Sequence, residues 1–176
     1  MNWQHVYDFW FQTLTPEQWF SVDSELDALI EKQFSNYLEA AKAGELFSWR
    51  DSAKGALSEI IVLDQFSRNI YRNQTLAFAQ DAQALTLAQT AIKLGQDKEL
   101  TTTEAGFLYL PFMHSESKII HEIAETLFKD HPSYEYELAH KRIIDKFGRY
   151  PHRNQTLGRE STPDELIFLT QENSSF

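Results

Sequence analysis

Residues 52–71 read SAKGALSEIIVLDQFSRNIY, and this stretch decides the fold class. Ser52 is a residue type that caps helix N-termini, and the apolar side chains after it recur at three- and four-residue spacing. Those side chains are Leu57, Ile60, Ile61, Leu63, Phe66 and Ile70. They surround much of the helix circumference, so residues 53–71 are predicted to form the central buried helix.

The rest of the chain carries the same helical signals, and no stretch alternates apolar and polar residues as strands do. Caps, first-turn prolines and terminal glycines predict further helices over residues 3–12, 16–20, 25–42, 81–94, 102–110, 115–128, 133–147 and 163–169. Pro111 should kink or break its helix, because it lacks an amide hydrogen. We predict one all-α domain over residues 1–176, built from antiparallel helix pairs in a compact bundle or helical array of about seven to nine helices.

Composition narrows the classes of function. The chain has 176 residues, 42% of them hydrophobic, which is enough for a sizeable core, and it has no cysteine. Its N-terminus lacks the basic and apolar regions of a secretory signal, and no apolar run reaches membrane-spanning length. A net charge of −10 repels phosphate backbones. We therefore expect a soluble cytoplasmic protein that binds neither membrane nor nucleic acid.

Within this acidic chain, one segment is strongly basic. Between residues 141 and 159 only Asp145 opposes six cations. The cations are Lys141, Arg142, Lys146, Arg149, Arg153 and Arg159. Pro151 pushes the residue before it toward an extended conformation, which should place His152, Arg153 and Asn154 on an irregular loop. Such a surplus calls for an anion, either a ligand or carboxylates of the protein itself.

A second polar group lies inside the central helix. Asp64, Arg68 and Arg72 are spaced four residues apart and therefore stack along one face. Charged side chains on a core helix need partners. Either Asp64 pairs with Arg68, or the two guanidiniums grip a carboxylate or phosphate through forked hydrogen bonds.

A third group comprises His114 and Glu116, followed by His121. These residue types could ligate a metal, but the His-Glu-x-x-His pattern of zinc peptidases is absent, as are glycine-rich phosphate loops and dinucleotide fingerprints. We expect no metal and no cofactor, and Glu116 as the partner of an arginine. The candidate catalytic residues are His152, His114 and Glu116, since an imidazole suits proton transfer near neutral pH.

Aromatic residues crowd the N-terminal region. They are Trp3, Tyr7, Phe9, Trp10, Phe11, Trp19 and Phe20. Packing in the core or between helices, rather than a ligand cage, is the expected use of such rings, which are large apolar groups. Any member that is exposed would instead favour a partner surface.

Four stretches taken together resemble a known family. They are residues 9–11, 63–72, 107–116 and 148–162, which span nearly the whole chain in order. The chain is similar in them to the bacterial domain-of-unknown-function 924 (DUF924) family, although that pattern often has proline at Ser67 and phenylalanine at Tyr150. The resemblance implies an all-helical, tetratricopeptide-like fold and no established activity. It also implies that the three polar groups meet in one place.

These observations favour a small anionic ligand, a phosphate or carboxylate, bound in an arginine-rich pocket between helices, where hydrolysis or group transfer are the conceivable activities. The predicted ligand-binding residues are Asp64, Arg68, Arg72, Arg149, His152, Arg153, Asn154 and Arg159. The alternative is a tetratricopeptide-like protein or peptide scaffold. In that case the partner is an acidic peptide, or the arginine motifs form a structural salt-bridge network.

Overall fold

The computed structural model describes residues 1–172 and residue 174. Every regular element in that part of the chain is helical, which confirms the all-α prediction. The α-helices are α1 (Trp3–Asp8), α2 (Pro16–Trp19), α3 (Ser24–Lys42), α4 (Ala53–Ile61), α5 (Ser67–Ile70), α6 (Asp81–Lys93), α7 (Thr102–Met113), α8 (Lys118–Phe128), α9 (Tyr134–Phe147) and α10 (Pro163–Leu169). Two π-helical segments, Phe9–Thr13 and Val62–Phe66, continue α1 and α4. Short 3-10 helices cover Phe47–Asp51, Thr75–Phe78, Gln96–Glu99 and Pro151–Arg153.

The contacts divide the chain into two compact units. The first holds residues 1–72 and 76–111, and the second holds residues 73–75, 112–172 and 174. The organisation into a single domain and the tetratricopeptide-like arrangement stay predictions.

The first unit is organised around the helix that the sequence singled out. As predicted, Ser52 caps it, because its side chain accepts a hydrogen bond from the Gly55 amide at 3.2 Å. From there α4, the π-helical segment and α5 run on to Ile70, and residues 55–67 are buried. This helix packs against α3, whose buried face carries Leu26, Ile30, Phe34, Leu38, Ala40 and Ala41.

Three predicted boundaries differ from the structure. The helix predicted over residues 25–42 begins one residue earlier, at Ser24, because the Asp23 carboxylate caps it by accepting from the amides of the first turn at 2.9 and 3.2 Å. Pro111 lies inside α7, which runs two residues beyond it before ending at Met113. Ser115 does not start α8, because its amide bonds back to the Phe112 carbonyl and prolongs the turn that ends α7.

In the second unit, α8 and α9 pack against each other. Gly148 ends α9 in the left-handed conformation, with φ of 70°. Beyond it, Tyr150 is buried with Ile143 and Ile144, and Phe168 of α10 packs against this cluster. Helix α10 is thereby fastened to α9.

Gly55 offers a test of this packing. An added Cβ would lie 2.0 Å from the Trp49 carbonyl oxygen, whereas a Cβ at Gly44 would have no atom within 4 Å. We expect Gly55→Ala to lower the free energy of unfolding by about 3 kcal/mol, because backbone has to move. Gly44→Ala should cost only the left-handed penalty of about 1 kcal/mol. Urea unfolding of both variants checks this, and equal losses would contradict it.

Candidate functional site

Two arginines of the basic segment in the second unit each bind a carboxylate. Arg149 donates to Glu165 from Nε at 2.6 Å and from Nη2 at 2.8 Å. Glu165 also completes the capping box of α10, where its Oε2 accepts from the Thr162 amide at 2.8 Å. Arg149 and the Thr162 amide together lower the pKa of Glu165 to about 2.

Glu116 holds the other arginine of this segment. Arg159 donates to it from both terminal nitrogens, at 2.6 and 2.9 Å, in the forked geometry that guanidinium and carboxylate share. The Tyr150 amide donates to Glu116 Oε1 at 2.7 Å. Burial alone would raise the pKa of Glu116, but these bonds outweigh it and lower the pKa.

Asn154 joins the two pairs. Its Oδ1 accepts from Arg159 Nε at 3.0 Å, and its Nδ2 donates to Glu165 Oε2 at 3.3 Å. The Asn154 side chain is almost fully buried. We call Glu116, Arg149, Asn154, Arg159 and Glu165 the arginine clamp. Each of its members is engaged by another, so the clamp can tie the loop between α9 and α10 to the start of both α8 and α10.

The other two ligand candidates of this loop, the partly exposed His152 and the buried Arg153, lie beside Tyr150. The Arg153 guanidinium lies 4.5 Å from the Tyr150 ring centroid, and only 7% of Arg153 is exposed. Burial, followed by the nearby charge of Arg153, lowers the pKa of His152 to about 4. His152 is therefore neutral at neutral pH. His114 lies in the partly exposed turn that follows α7.

The first unit contains the group on the central helix. Arg68 donates to both oxygens of Asp81 at 2.9 and 3.0 Å and lies 3.1 Å from Asp64 Oδ1. Arg72 donates to both oxygens of Asp27, at 2.5 and 2.8 Å. The predicted pair of Asp64 and Arg68 is present, and two further carboxylates complete the group.

The structure brings Glu116 and the residues of the 149–159 loop together in the second unit, whereas Asp64, Arg68 and Arg72 belong to the first. Sequence reasoning missed Asp27, Asp81 and the role of Glu165 as the partner of Arg149. The partners of Arg68 and Arg72 lie 13 and 45 residues away, a distance at which spacing carries no signal. The capping box at Glu165 was predicted, and it is present.

His121 forms a buried polar cluster rather than a metal site. Its Nε2 faces two oxygens, the Ser115 carbonyl at 2.9 Å and the Tyr150 hydroxyl at 3.1 Å. Since that hydroxyl donates to the Met113 carbonyl, Nε2 carries a hydrogen. Nδ1 meets Glu137 at 2.7 Å, and burial raises the pKa of Glu137. Across residues 1–172 and 174, no group of three His, Cys, Asp or Glu side chains is arranged to hold a metal.

A row of aromatic rings runs along α1 and its π-helical continuation in the first unit. Trp3, Tyr7 and Phe11 are partly exposed, and their successive ring centroids lie 6.2 and 5.1 Å apart. The row continues through Trp19, 6.0 Å from Phe11, to Phe20. Phe20 is 72% exposed. We call these five residues the aromatic row.

Buried Phe107 forms the floor of this row. Its ring lies 5.5 Å from Phe11 and 5.0 Å from Trp19, and it stacks on Phe20 at 5.9 Å and 5°. The core packing expected of the aromatic residues is correct for Phe9 and Trp10, which are buried. Phe20 packs on Phe107 with one face, but the short α2 ends before it and leaves its outer face in solvent.

Comparison with known proteins gives a family and a fold. A family model described as "Bacterial protein of unknown function (DUF924)" matches residues 6–173. A solved structure of a protein of unknown function from Agrobacterium tumefaciens is 33% identical, with a TM-score of 0.91. The match covers 95% of this chain and 96% of that one. No curated protein matches the sequence. None of the helices in the described residues has the length and apolar character needed to cross a bilayer.

Removing an arginine of the clamp should lower the free energy of unfolding more than removing one partner of a single surface ion pair. Arg159→Met should lower the free energy of unfolding by about 2 kcal/mol, because it leaves a half-buried carboxylate without its fork. The matched control is Lys141→Met, which removes an exposed pair with Asp145 and should cost less than about 0.5 kcal/mol. Urea unfolding measures both. Equal stability of Arg159→Met and the parent protein would contradict a structural role.

The buried histidines predict how stability depends on pH. Burial lowers the pKa of His140 to about 3, well below its usual 6.5, so the unfolded chain binds a proton that the folded chain rejects. The contribution of His140 to the free energy of unfolding is therefore fully present above pH 6.5 and is lost as the pH drops toward 3. His140→Gln should remove about 2 kcal/mol of the loss between pH 7.5 and pH 5. Urea midpoints across this range give the slope, and an unchanged slope would contradict the assignment.

Proposed function

We propose that this chain, which belongs to the bacterial DUF924 family of proteins of unknown function, is a partner-binding scaffold. Its arginine motifs are structural, and its aromatic row is the surface that contacts the partner. The observation that carries the proposal is the contrast between the arginines and the aromatic row. The guanidiniums of Arg68, Arg72, Arg149 and Arg159 are engaged by the protein's own carboxylates, while five neighbouring aromatic side chains are exposed in whole or in part.

The occupied forks of the clamp support a structural role for the arginines. A guanidinium that recognises a ligand anion bidentately uses the same pair of N–H groups that Arg149 and Arg159 give to Glu165 and Glu116. A ligand phosphate would have to displace a carboxylate that also accepts a backbone amide. The shallow concavity beside the clamp contains Lys146 and Arg149 but also Asp164 and Glu165, so it has no surplus of cations.

The aromatic row has the composition of an interface centre. Tyr, Trp and Phe are enriched there and dominate binding energy, since they bury large area at small cost in side-chain entropy. Single exposed apolar residues are ordinary on a protein surface, but contiguous ones mark an interaction site. Val22, two residues after Phe20 along the chain, is also apolar and 81% exposed. The rings are held from below by Phe107 and are therefore largely preorganised.

Binding of an anionic ligand or an acidic peptide at the arginines stays a prediction that the same variants can test. Inorganic phosphate should leave the thermal midpoint of the parent protein unchanged if the clamp is structural. A rise that disappears in Arg159→Met would instead establish an anion site through linkage. The candidate roles of His152, His114 and Glu116 in hydrolysis or transfer depend on that outcome.

Photocrosslinking inside bacterial cells that express the chain tests the scaffold directly. With p-benzoylphenylalanine in place of Phe20, we expect a discrete cross-linked species of higher mass, because the row is the contact surface. The matched control carries the same group in place of Phe47, another exposed phenylalanine of the first unit, which lies outside the row. Identical cross-linking at both positions, or none at either, would contradict the proposal.

A further inference from the structure

We propose that the occupant of the aromatic row is a basic segment of another protein, one that carries apolar side chains between its lysines or arginines. This inference rests on the proposed scaffold function and names the chemistry of its partner. It is carried by the charges that surround the row, independently of the arginine clamp.

The chain around the row is acidic to an unusual degree. The first 31 residues contain six acids and neither Lys nor Arg. The acids are Asp8, Glu17, Asp23, Glu25, Asp27 and Glu31. Asp8 and Glu17 are exposed and lie within two residues of Tyr7 and Trp19 along the chain. Among these six acids, Asp27 is held by Arg72 and Asp23 caps α3.

The whole first unit repeats this imbalance. It contains eight Lys and Arg against fifteen Asp and Glu, a formal charge of −7, out of −10 for the full chain. A surface of one sign steers oppositely charged partners toward it and disfavours partners of the same sign. An acidic peptide, an anionic lipid surface or a second copy of this chain would each be repelled.

The row already accepts a cation at one of its rings. Lys54 places its ammonium 4.4 Å from the Tyr7 ring centroid and donates to the Tyr7 hydroxyl at 2.9 Å. Glu104 lies 3.7 Å from the same ammonium and accepts a hydrogen bond from Tyr7. Aromatic faces attract ammonium and guanidinium groups electrostatically, and nearby carboxylates strengthen this attraction.

The remaining rings offer both kinds of contact that a basic apolar segment needs. Phe11 and Trp19 have partly exposed faces near Asp8 and Glu17, where lysine or arginine stems can lie and their charged ends can meet a carboxylate. Phe20 and Val22 provide the apolar end of the surface. An amphipathic helix presents both side-chain types at three- and four-residue spacing.

A pair of synthetic peptides tests this chemistry. The probe is an amphipathic helical peptide with Lys and Leu on one face, and its counterpart has every Lys replaced by Glu. We expect only the Lys peptide to bind, with an affinity that weakens as salt rises. The readout is calorimetric titration, supported by the change in fluorescence of Trp3 and Trp19 when their exposed faces are covered.

Matched variants localise the binding. Phe20→Ala should weaken binding of the Lys peptide about thirtyfold, as loss of a dominant interface side chain does. Phe47→Ala should leave the affinity within about twofold, since that exposed ring lies outside the row. Circular dichroism checks that both variants keep the parent helix content. Asp8→Asn combined with Glu17→Gln should weaken the Lys peptide and reduce the salt dependence.

Three results would overturn the inference. They are equal or tighter binding of the Glu peptide, no binding of the Lys peptide, and a larger loss in Phe47→Ala than in Phe20→Ala. None of these decides the scaffold function, because in-cell cross-linking at position 20 reports a partner whatever its charge. A cross-link combined with preference for the Glu peptide would keep the scaffold and reject the basic partner.

Discussion

The forked bond between a guanidinium and a carboxylate is the interaction on which the polar organisation of both units depends. A charge that leaves water has to regain its lost solvation from a partner, and the fork returns two strong hydrogen bonds at once. Glu116 shows that one carboxylate can hold several groups at once. It receives the Arg159 fork together with the Tyr150 amide, which fixes the residue that precedes Pro151. Buried Tyr150 in turn meets His121 and the end of α7.

The sequence predicted the local features of the fold well and the long-range ion pairs poorly. Helices followed from caps and periodicity, which depend on residues three or four apart, so Ser52 and the capping box at Thr162 were read correctly. The pairing of Arg72 with Asp27 joins α5 to α3 across 45 residues, and only the packed chain determines it. The local rule that proline breaks a helix failed at Pro111, since α7 continues past it for two residues.

The candidate surface was visible in the sequence only as composition. The crowding of rings near the N-terminus was plain, but whether each ring faces the core depends on how the helix turns. Val6, Phe9 and Trp10 are buried at the i, i+3, i+4 spacing of one helix face, whereas Trp3, Tyr7 and Phe11, four residues apart, form a second face that is partly exposed. The spacing separates the two faces but does not say which of them meets the core. The exposure of Phe20 likewise follows from where α2 ends.

The sequence draws attention to the basic segment, but the distribution of charge in the structure points to the acidic first unit. Three of the six cations between residues 141 and 159 are paired within the second unit, where Lys141 meets Asp145, Arg149 meets Glu165 and Arg159 meets Glu116. The first unit keeps an excess of acids, since its eight Lys and Arg face fifteen Asp and Glu. Ion pairs within the unit cancel equal charges of both signs, so its long-range field follows this net charge. The field that this chain presents to a partner is therefore negative, and it is strongest in the unit that carries the exposed rings.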